Sequence, residues 1–315
     1  MNDLQKENNF VSAVVYLHNC ETRVEPFLNV VYEQLNTHFI KFEIICVDDC
    51  STDETRSKVM SMSTIADATK LNVIHFSYFH GLENAMLAGV DLSIGDFVFE
   101  FDSTYVDYNA ELIMSVYYRA LQGYDVVGAT PNSKMRRSSS LFYSIFNRFS
   151  NAPYQLQTER FRIISRRIIN KIHNLNSAIS HRKVAYVTSG LKNDSILYEI
   201  AYEVPVHFDA QERRLRRSVA INSMVLFTDF AYRTSLFLSI IMAVFALAVS
   251  VYTIIIFFTG KPVEGWTTTM MFLSLAFFGM FVILTFLTKY VSIAVNIRIK
   301  LKSYSYESVD KVSGL

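Results

Sequence analysis

The chain has 315 residues, of which 51% are hydrophobic, and its formal net charge is +1 at pH 7. A charge this close to zero argues against nucleic acid as the main partner, because nucleic-acid-binding domains carry a clear excess of Lys and Arg. The length allows one α/β domain of roughly 200 residues and about a hundred residues for something else. The three cysteines, Cys20, Cys46 and Cys50, do not match a CxxC zinc pattern and fit a reducing compartment.

The first half of the sequence alternates between strand and helix patterns. Strands are predicted at Val11–Leu17, Phe42–Val47, Leu71–Phe76, Asp96–Phe101 and Tyr124–Gly128. Helices are predicted at Arg23–Leu35, after Asp53 as far as Thr64, and at Leu82–Leu92. This alternation predicts an α/β fold with a mostly parallel sheet and helices on both faces. Ligands of such sheets bind beyond the carboxyl ends of the strands, so the loops there form the candidate site.

The pattern changes between residues 133 and 233. Leu141–Phe149 and Ile221–Arg233 are predicted to be amphipathic helices, and both lie beside basic clusters. Ordinary surface helices would show the same pattern. The apolar segments that follow them favour helices that lie at a membrane interface, where anionic headgroups attract basic side chains.

Two uncharged, apolar segments follow this region. As helices, Ser235–Phe258 would span roughly 36 Å and Thr267–Leu287 roughly 31 Å, and each is long enough to cross a bilayer core. Two buried helices of a soluble protein are the alternative, which two adjacent segments of this length disfavour. Residues 234–288 are therefore predicted to form a transmembrane hairpin. The flanking Lys and Arg residues place the N-terminal domain, both termini and a basic tail at 289–315 on the cytoplasmic side, and the polar N-terminus shows no secretory signal.

The second predicted strand leads directly into an acidic turn, Asp48-Asp49-Cys50-Ser51-Thr52-Asp53. A carboxylate at the end of a strand can accept hydrogen bonds from a nucleobase or a ribose, and Ser51 or Thr52 can cap the next helix. An acidic turn with a purely structural helix cap would have the same sequence. The turn alone therefore leaves both interpretations open.

Further motifs accompany this turn in a fixed order. They are Val14–Glu21, the turn itself within Val47–Thr55, Gly81–Gly89, and Gly95-Asp96 followed by Phe101-Asp102. In order and spacing they resemble the motifs of family 2 glycosyltransferases with the GT-A fold, which is a Rossmann-like, mostly parallel sheet. The hairpin, Leu287-Thr288-Lys289-Tyr290 and the basic tail are similar to the layout of the polyprenyl-phosphate sugar transferases, the group of dolichyl-phosphate mannose synthase and bactoprenol glucosyltransferase. The resemblance implies a nucleotide-sugar-binding half at 1–132 and an acceptor-side region at 133–233.

The resemblance also implies roles for individual residues. The nucleotide-sugar would be bound by Asn19, Glu21, Asp48, Asp49, Ser51 and Gly81. Catalysis would involve Asp102, Asp107, Glu159 and Arg160, and Asp102 would ligate a divalent cation, Mg²⁺ or Mn²⁺. Arg136, Arg137 and Arg162 would bind the phosphate of a polyprenyl-phosphate acceptor in the membrane. The related group also suggests a homo-oligomer.

Several positions depart from the family pattern. The Asp-x-Asp metal motif of the family is here Asp102-Ser103-Thr104, so a hydroxyl replaces the second carboxylate. In the acceptor-side segment, Arg160 stands where the family has an aspartate, and Glu159 supplies a carboxylate one position earlier. Glu100 and Asp102 alternate along one strand and are predicted to face the same side, which would allow a shifted acidic pair.

Two functions stay open at this stage. The first is an inverting sugar transferase on the cytoplasmic face of a membrane, because an ionised phosphate acceptor needs positioning and charge neutralisation more than a general base. The second is a non-catalytic membrane subunit or scaffold of a glycan-assembly complex. Thr104, Arg160 and Phe79 favour it, since Tyr78-Phe79 stands where the family has an Arg-Asn pair before its glycine. A nicotinamide-binding enzyme is excluded, since no Gly-x-Gly-x-x-Gly follows the first strand.

Overall fold

A computed structural model describes residues 6–62, 70–133, 137–150, 152–174, 181–201, 210–228 and 308–312, with separate positions between 234 and 294. The chain divides into two compact units. The first unit comprises Met1–Asn147, Ala152–Ala220 and Leu301–Leu315, and the second comprises Arg148–Asn151 and Ile221–Lys300.

The first unit contains a single sheet with helices on both faces. Its strands are β1 (Val11–Leu17), β2 (Phe42–Asp48), β3 (Lys70–His75), β4 (Phe97–Phe101), β5 (Val126–Pro131), β6 (Phe161–Ser165), β7 (Asn193–Tyr198) and β8 (Ser308–Val312). The helices are α1 (Val24–His38), α2 (Thr55–Met60), α3 (Leu82–Leu92), α4 (Glu111–Leu121), α5 (Arg137–Phe149), α6 (Arg166–Asn174) and α7 (Arg182–Thr188). The helix α8 (Ala210–Phe227) begins in the first unit and ends in the second.

The strands are ordered β7-β5-β6-β4-β1-β2-β3-β8, and all are parallel except β6 and β8. The prediction of a mostly parallel α/β sheet is therefore confirmed. From β1 the chain passes to β2 and β3 on one side, and β4 then pairs with β1 on the other side. The carboxyl ends of β1 and β4 consequently flank a topological switch point, the place where open α/β sheets bind ligands.

Alternate residues of the central strands pack on opposite faces of the sheet. Val15 belongs to an apolar core with α1 and α4, whereas Val14 belongs to a second core with α3 and α6. On the second face α3 lies close to the strands at Gly89, where a Cβ atom would be 2.3 Å from Val14 Cγ1. This two-faced burial fixes the strands and thus the position of the loops at their carboxyl ends.

The predicted elements match the first 130 residues best. The bounds of β1 and α3 coincide with their predictions, while α2 is shorter than the predicted helix, whose last residues lie outside the described part. The prediction of a helix at Ile221–Arg233 was wrong in its bounds, because α8 begins at Ala210. The first half of α8 contains the basic residues of Arg213–Arg217, which the prediction places before the helix. Arg is a good helix former, so these residues extend the helix toward the N-terminus. The strands β6, β7 and β8 were not predicted.

Most of the predicted transmembrane hairpin at 234–288 lies outside the described residues. Within the part that is described, no helix is both long enough and apolar enough to cross a membrane. The described positions of this region are mostly helical, and the rings of Phe245 and Phe272 stack with their centroids 6.2 Å apart. Several of its apolar side chains are exposed, among them Phe237, Val244 and Leu287. The hairpin stays a prediction.

Candidate functional site

The carboxylate of Asp49 links two loops and strand β1 at the carboxyl edge of the sheet. It accepts hydrogen bonds from the backbone N–H groups of His80 and Gly81, each at 2.7 Å, and from the hydroxyl of Tyr16 at 3.1 Å. Burial raises the pKa of Asp49, and the two backbone donors partly offset this rise. Asp49 therefore ties the acidic turn after β2 to the start of α3.

Asp48 and Ser51 form the turn itself. One Asp48 oxygen accepts the backbone N–H of Ser51 at 3.2 Å, and the other lies 3.1 Å from Nδ1 of His75. Between them Cys50 has a φ of 55°, in the left-handed region that favours glycine. A residue with a side chain adopts this conformation at a cost that glycine does not have.

The loop after β1 is joined to the same turn. The side-chain oxygen of Asn19 accepts the backbone N–H of Thr52 at 2.9 Å, and the backbone N–H of Asn19 donates to Oγ of Ser51 at 3.1 Å. Glu21 accepts the backbone N–H of Glu54 at 3.0 Å. The structure thus brings the residues predicted to bind the nucleotide-sugar into one set of hydrogen-bonded loops, namely Asn19, Glu21, Asp48, Asp49, Ser51 and Gly81.

Two carboxylates and two guanidinium groups form a closed ring beside this loop set, which we call the buried quartet: Glu100, Asp102, Arg162 and Arg182. Arg162 donates to Glu100 at 2.7 Å and to Asp102 at 2.6 Å. Arg182 donates to the other oxygen of each carboxylate, at 2.5 Å and 2.8 Å. The prediction that Glu100 and Asp102 face the same side is confirmed, and both are neutralised by arginine.

The charges around the quartet determine its protonation state. Burial alone would raise the pKa of Asp102, but Arg162, Arg182 and Lys183 hold it well below its ordinary value. Burial would lower the pKa of Arg162, whereas Asp102, Glu159 and Glu100 raise it. Asp102, Arg162 and Arg182 are therefore charged at neutral pH. The Arg162 side chain is fully buried, so it presents no exposed nitrogen to an acceptor phosphate.

A second ion pair involves two residues predicted to be catalytic. Arg160 pairs with both carboxylate oxygens of Asp107, and the hydroxyl of Tyr198 donates to the same carboxylate at 2.8 Å. Glu159 accepts from Nε of Arg162 at 2.7 Å and so adjoins the quartet. The structure thus places Asp102 and Glu159 together around Arg162, while Asp107 and Arg160 form a separate pair.

The residues predicted to bind the acceptor phosphate are described unequally. Arg136 lies outside the described residues, and Arg137 is described only as the first residue of α5. Two further cations of the site, Arg182 and Lys183, were not predicted. The basic run His181-Arg182-Lys183 was the available signal, but nothing local in the sequence connects it to Asp102.

The position of the Asp-x-Asp motif does not fit a divalent cation. Both oxygens of Asp102 accept N–H groups of arginine, and the hydroxyl of Thr104 lies 3.4 Å from Nε of Arg23. Mg²⁺ and Mn²⁺ need several oxygen ligands. Among the residues that the structure describes, no group of three His, Cys, Asp or Glu side chains could hold a metal.

Sequence comparison identifies related proteins. The family model for glycosyl transferase family 2 matches residues 12–173. A prophage bactoprenol glucosyl transferase homolog of Escherichia coli is 24% identical over 278 residues, which cover 85% of this chain and 88% of that protein. An uncharacterized glycosyltransferase of Synechocystis is 26% identical over 195 residues. This match covers 60% of this chain and 60% of the length of that protein.

Structural comparison identifies the same fold. The glucosyl-3-phosphoglycerate synthase of Mycobacterium tuberculosis, solved with Mn²⁺, UDP-glucose and phosphoglyceric acid, superposes with a TM-score of 0.52 and 14% identity. The match covers 69% of this chain and 79% of that one. At this identity the likeness concerns the fold alone, and it confirms the predicted GT-A-like architecture.

Proposed function

We propose that this chain, which belongs to glycosyl transferase family 2 and is a glycosyltransferase, transfers a sugar from a nucleotide-sugar to a polyprenyl-phosphate acceptor at a membrane. The main support for the proposal is the set of hydrogen-bonded loops around Asp48 and Asp49, which lies at the switch point of the sheet. The long match to a bactoprenol glucosyl transferase homolog supports a lipid-phosphate acceptor.

On the donor side, Asp48 is the candidate for recognising the nucleoside. Its carboxylate is almost fully buried at the end of β2 and is held by Ser51 and His75, so its direction is fixed before a ligand binds. Asp49 has a different role, because its oxygens already accept three hydrogen bonds, two from the loop before α3 and one from Tyr16 of β1. We therefore assign Asp48 to the donor and Asp49 to positioning of the loops.

On the acceptor side, an oxygen of the lipid phosphate attacks the anomeric carbon of the donor. The bond from that carbon to the diphosphate oxygen breaks as the new bond forms, and its electron pair leaves with the nucleotide diphosphate. Attack from the opposite face inverts the configuration of the sugar. An ionised phosphate needs no proton removed, so the protein's contribution is positioning and neutralisation of charge. Arg160, whose side chain is partly exposed beside Asp107, is the candidate for orienting the acceptor.

A transfer assay tests the proposal. Membranes that contain the full chain are incubated with polyprenyl phosphate and a panel of labelled nucleotide-sugars, and lipid-linked sugar is measured. We expect transfer from one donor, and a drop of at least about tenfold for Asp48→Asn, because a hydrogen bond to a charged group is lost. The control Asp194→Asn changes a carboxylate paired with Arg119 on α4, outside the linked loops, and should leave transfer unchanged. Absence of lipid-linked product with every donor would refute the proposal.

A further inference from the structure

Guanidinium groups contact both positions at which the family's motif would supply metal ligands. Arg162 and Arg182 each donate a hydrogen bond to one carboxylate oxygen of Asp102. Nε of Arg23 lies 3.4 Å from the hydroxyl of Thr104. Arg23 ends the loop after β1, and Thr104 lies just beyond β4. Since β1 and β4 are neighbouring parallel strands, the two residues meet at the switch point, where a ligand of this sheet binds.

Arg23 differs from the other arginines of the site in its partners. Arg160, Arg162 and Arg182 each pair with at least one carboxylate. Within the described part of the chain no carboxylate pairs with Arg23, whose guanidinium instead lies over the ring of Tyr105, 4.4 Å from its centroid. Its side chain is neither buried nor fully exposed. Arg23 therefore carries a positive charge that is positioned but not neutralised.

We propose that Arg23 binds the diphosphate of the nucleotide-sugar donor and takes the place of the divalent cation. This inference rests on the proposed function, because the diphosphate belongs to the donor. A guanidinium donates two parallel N–H groups to phosphate oxygens and keeps its charge at any physiological pH. As the sugar leaves, negative charge grows on the diphosphate, and a fixed cation lowers the energy of that state.

The neighbours of Arg23 support this role. Stacking on Tyr105 and the contact with Thr104 restrict the long side chain before the ligand arrives, so less conformational entropy is lost on binding. A carboxylate at position 104, as in the family pattern, would pair with Arg23 and cancel its charge. The hydroxyl of Thr104 thus leaves the charge of Arg23 without a carboxylate partner among the described residues, which accounts for the altered motif.

Equilibrium binding of UDP and GDP to the full-length, detergent-solubilised protein tests the inference, with excess EDTA or with Mn²⁺. We expect one of the two nucleotides to bind with the same affinity, within about twofold, in both conditions. Arg23→Gln should weaken that binding by at least about tenfold, because a charged hydrogen-bond donor is removed. Arg23→Lys, which keeps the charge but not the fork of donors, should retain part of it.

A matched control is available in Arg119, which also lies over a tyrosine ring, at 4.6 Å from the centroid of Tyr124, but pairs with Asp194. Arg119→Gln should leave nucleotide binding unchanged. Thr104→Asp should weaken binding in EDTA by pairing with Arg23, whereas the uncharged Thr104→Asn should not. These variants keep Arg23 in place, so they test the inference even if Arg23→Gln fails to fold.

The outcomes separate this inference from the proposed function. Binding that requires Mn²⁺, or that Arg23→Gln leaves intact, overturns the role of Arg23 while the sugar-transfer proposal stands. If neither nucleotide binds in either condition and no donor is used in the transfer assay, both are overturned. Binding that is independent of metal and sensitive to Arg23 and to a carboxylate at position 104 supports the inference.

Discussion

The charged groups of the buried quartet are stabilised by one another, because the two arginines donate hydrogen bonds to the two carboxylates. Glu100 and Arg162 are fully buried, so each would carry a large desolvation cost if its partners were absent. Three donors converge on Glu100, since the hydroxyl of Tyr186 adds to the two arginines at 2.8 Å. Such an arrangement adds little net stability compared with apolar residues, but removal of one member leaves an unpaired buried charge.

Glu100→Gln should therefore destabilise the fold by about 3–5 kcal/mol, the usual range for breaking a buried ion pair from one side. Urea unfolding followed by circular dichroism measures the change. The control Asp194→Asn breaks the partly exposed pair with Arg119 and should cost no more than about 1 kcal/mol. Equal effects of the two changes would show that the quartet has no special cost of disruption.

Acidification should destabilise the protein through the same carboxylates. Arginine partners lower the pKa of Asp102 and Glu83 despite their burial, which by itself raises it. Since the folded-state pKa lies below the unfolded value of about 4, the unfolded chain binds more protons as the pH falls. The stability from these groups is thus present above about pH 4 and is lost below it. Asp49, whose pKa burial raises, acts with the opposite sign.

Urea midpoints measured from pH 7 down to pH 3 test this expectation. The midpoint should fall most steeply below about pH 4. Asp102→Asn cannot titrate at that position, so its curve should be flatter there, although it starts from a lower stability. A wild-type midpoint that does not change between pH 5 and pH 3 would contradict the assignment of lowered pKa values to these carboxylates.

How much of the site the sequence predicts depends on how local each signal is. Asp48, Asp49 and Ser51 are adjacent in the chain, and their motif predicts a binding turn that the structure shows as one set of linked loops. The partner of Asp102 cannot be found in this way. Arg182 is 80 residues away, and only the packing of α7 against the sheet brings them together.

The position of α3 depends on one close contact with the sheet, at Gly89. A Cβ atom at Gly89 would lie 2.3 Å from Val14 and 2.8 Å from Val47, distances that real side chains do not adopt. Alanine favours a helix over glycine by about 1 kcal/mol, but the clash has to be relieved by moving the helix or the strands. Gly81, which directly precedes α3, donates its backbone N–H to Asp49, so such a shift also reaches the candidate site.

Gly89→Ala should consequently destabilise the fold by about 1–3 kcal/mol, despite the higher helix propensity of alanine. A double-mutant cycle with Val14→Ala provides the control, because that change removes the methyl group that the new Cβ would meet. The double variant should be less destabilised than the sum of the two single variants. Strict additivity in the unfolding free energies would mean that the close contact with Val14 is not the cause.

The strand β8 shows where element prediction fails. Residues 308–312 were predicted only as part of a basic tail, since Asp310 and Lys311 interrupt any apolar pattern. They pair antiparallel with β3 from Leu71↔Val312 to His75↔Ser308. Backbone hydrogen bonds at a sheet edge need no apolar side chains, so this pairing depends on the exposed edge of β3 rather than on a signal within the tail.

For the whole molecule, we propose that residues 234–288 cross the membrane as a hairpin and place the sugar-transfer domain beside its lipid acceptor. The uncharged lengths of Ser235–Phe258 and Thr267–Leu287 support the proposal. So do exposed apolar side chains of that region, such as Phe237 and Leu287, which are 66% and 57% exposed. Exposure of this kind is costly in water but not in lipid.

Cysteine accessibility in intact cells tests this topology. Glu264→Cys lies in the link between the two apolar segments and should react with a membrane-impermeant maleimide added outside. Ser308→Cys should react only after permeabilisation, because the Lys and Arg residues around the proposed hairpin favour the cytoplasmic side for both ends. The unsubstituted chain is the control: Cys20 and Cys46 are buried, and Cys50 is half-buried in the domain that the proposal places inside the cell. It should stay unlabelled from outside. Labelling of position 308 in intact cells would contradict this topology, and so would labelling of position 264 only after permeabilisation. Either result would mean that the domain cannot reach a donor in the cytoplasm.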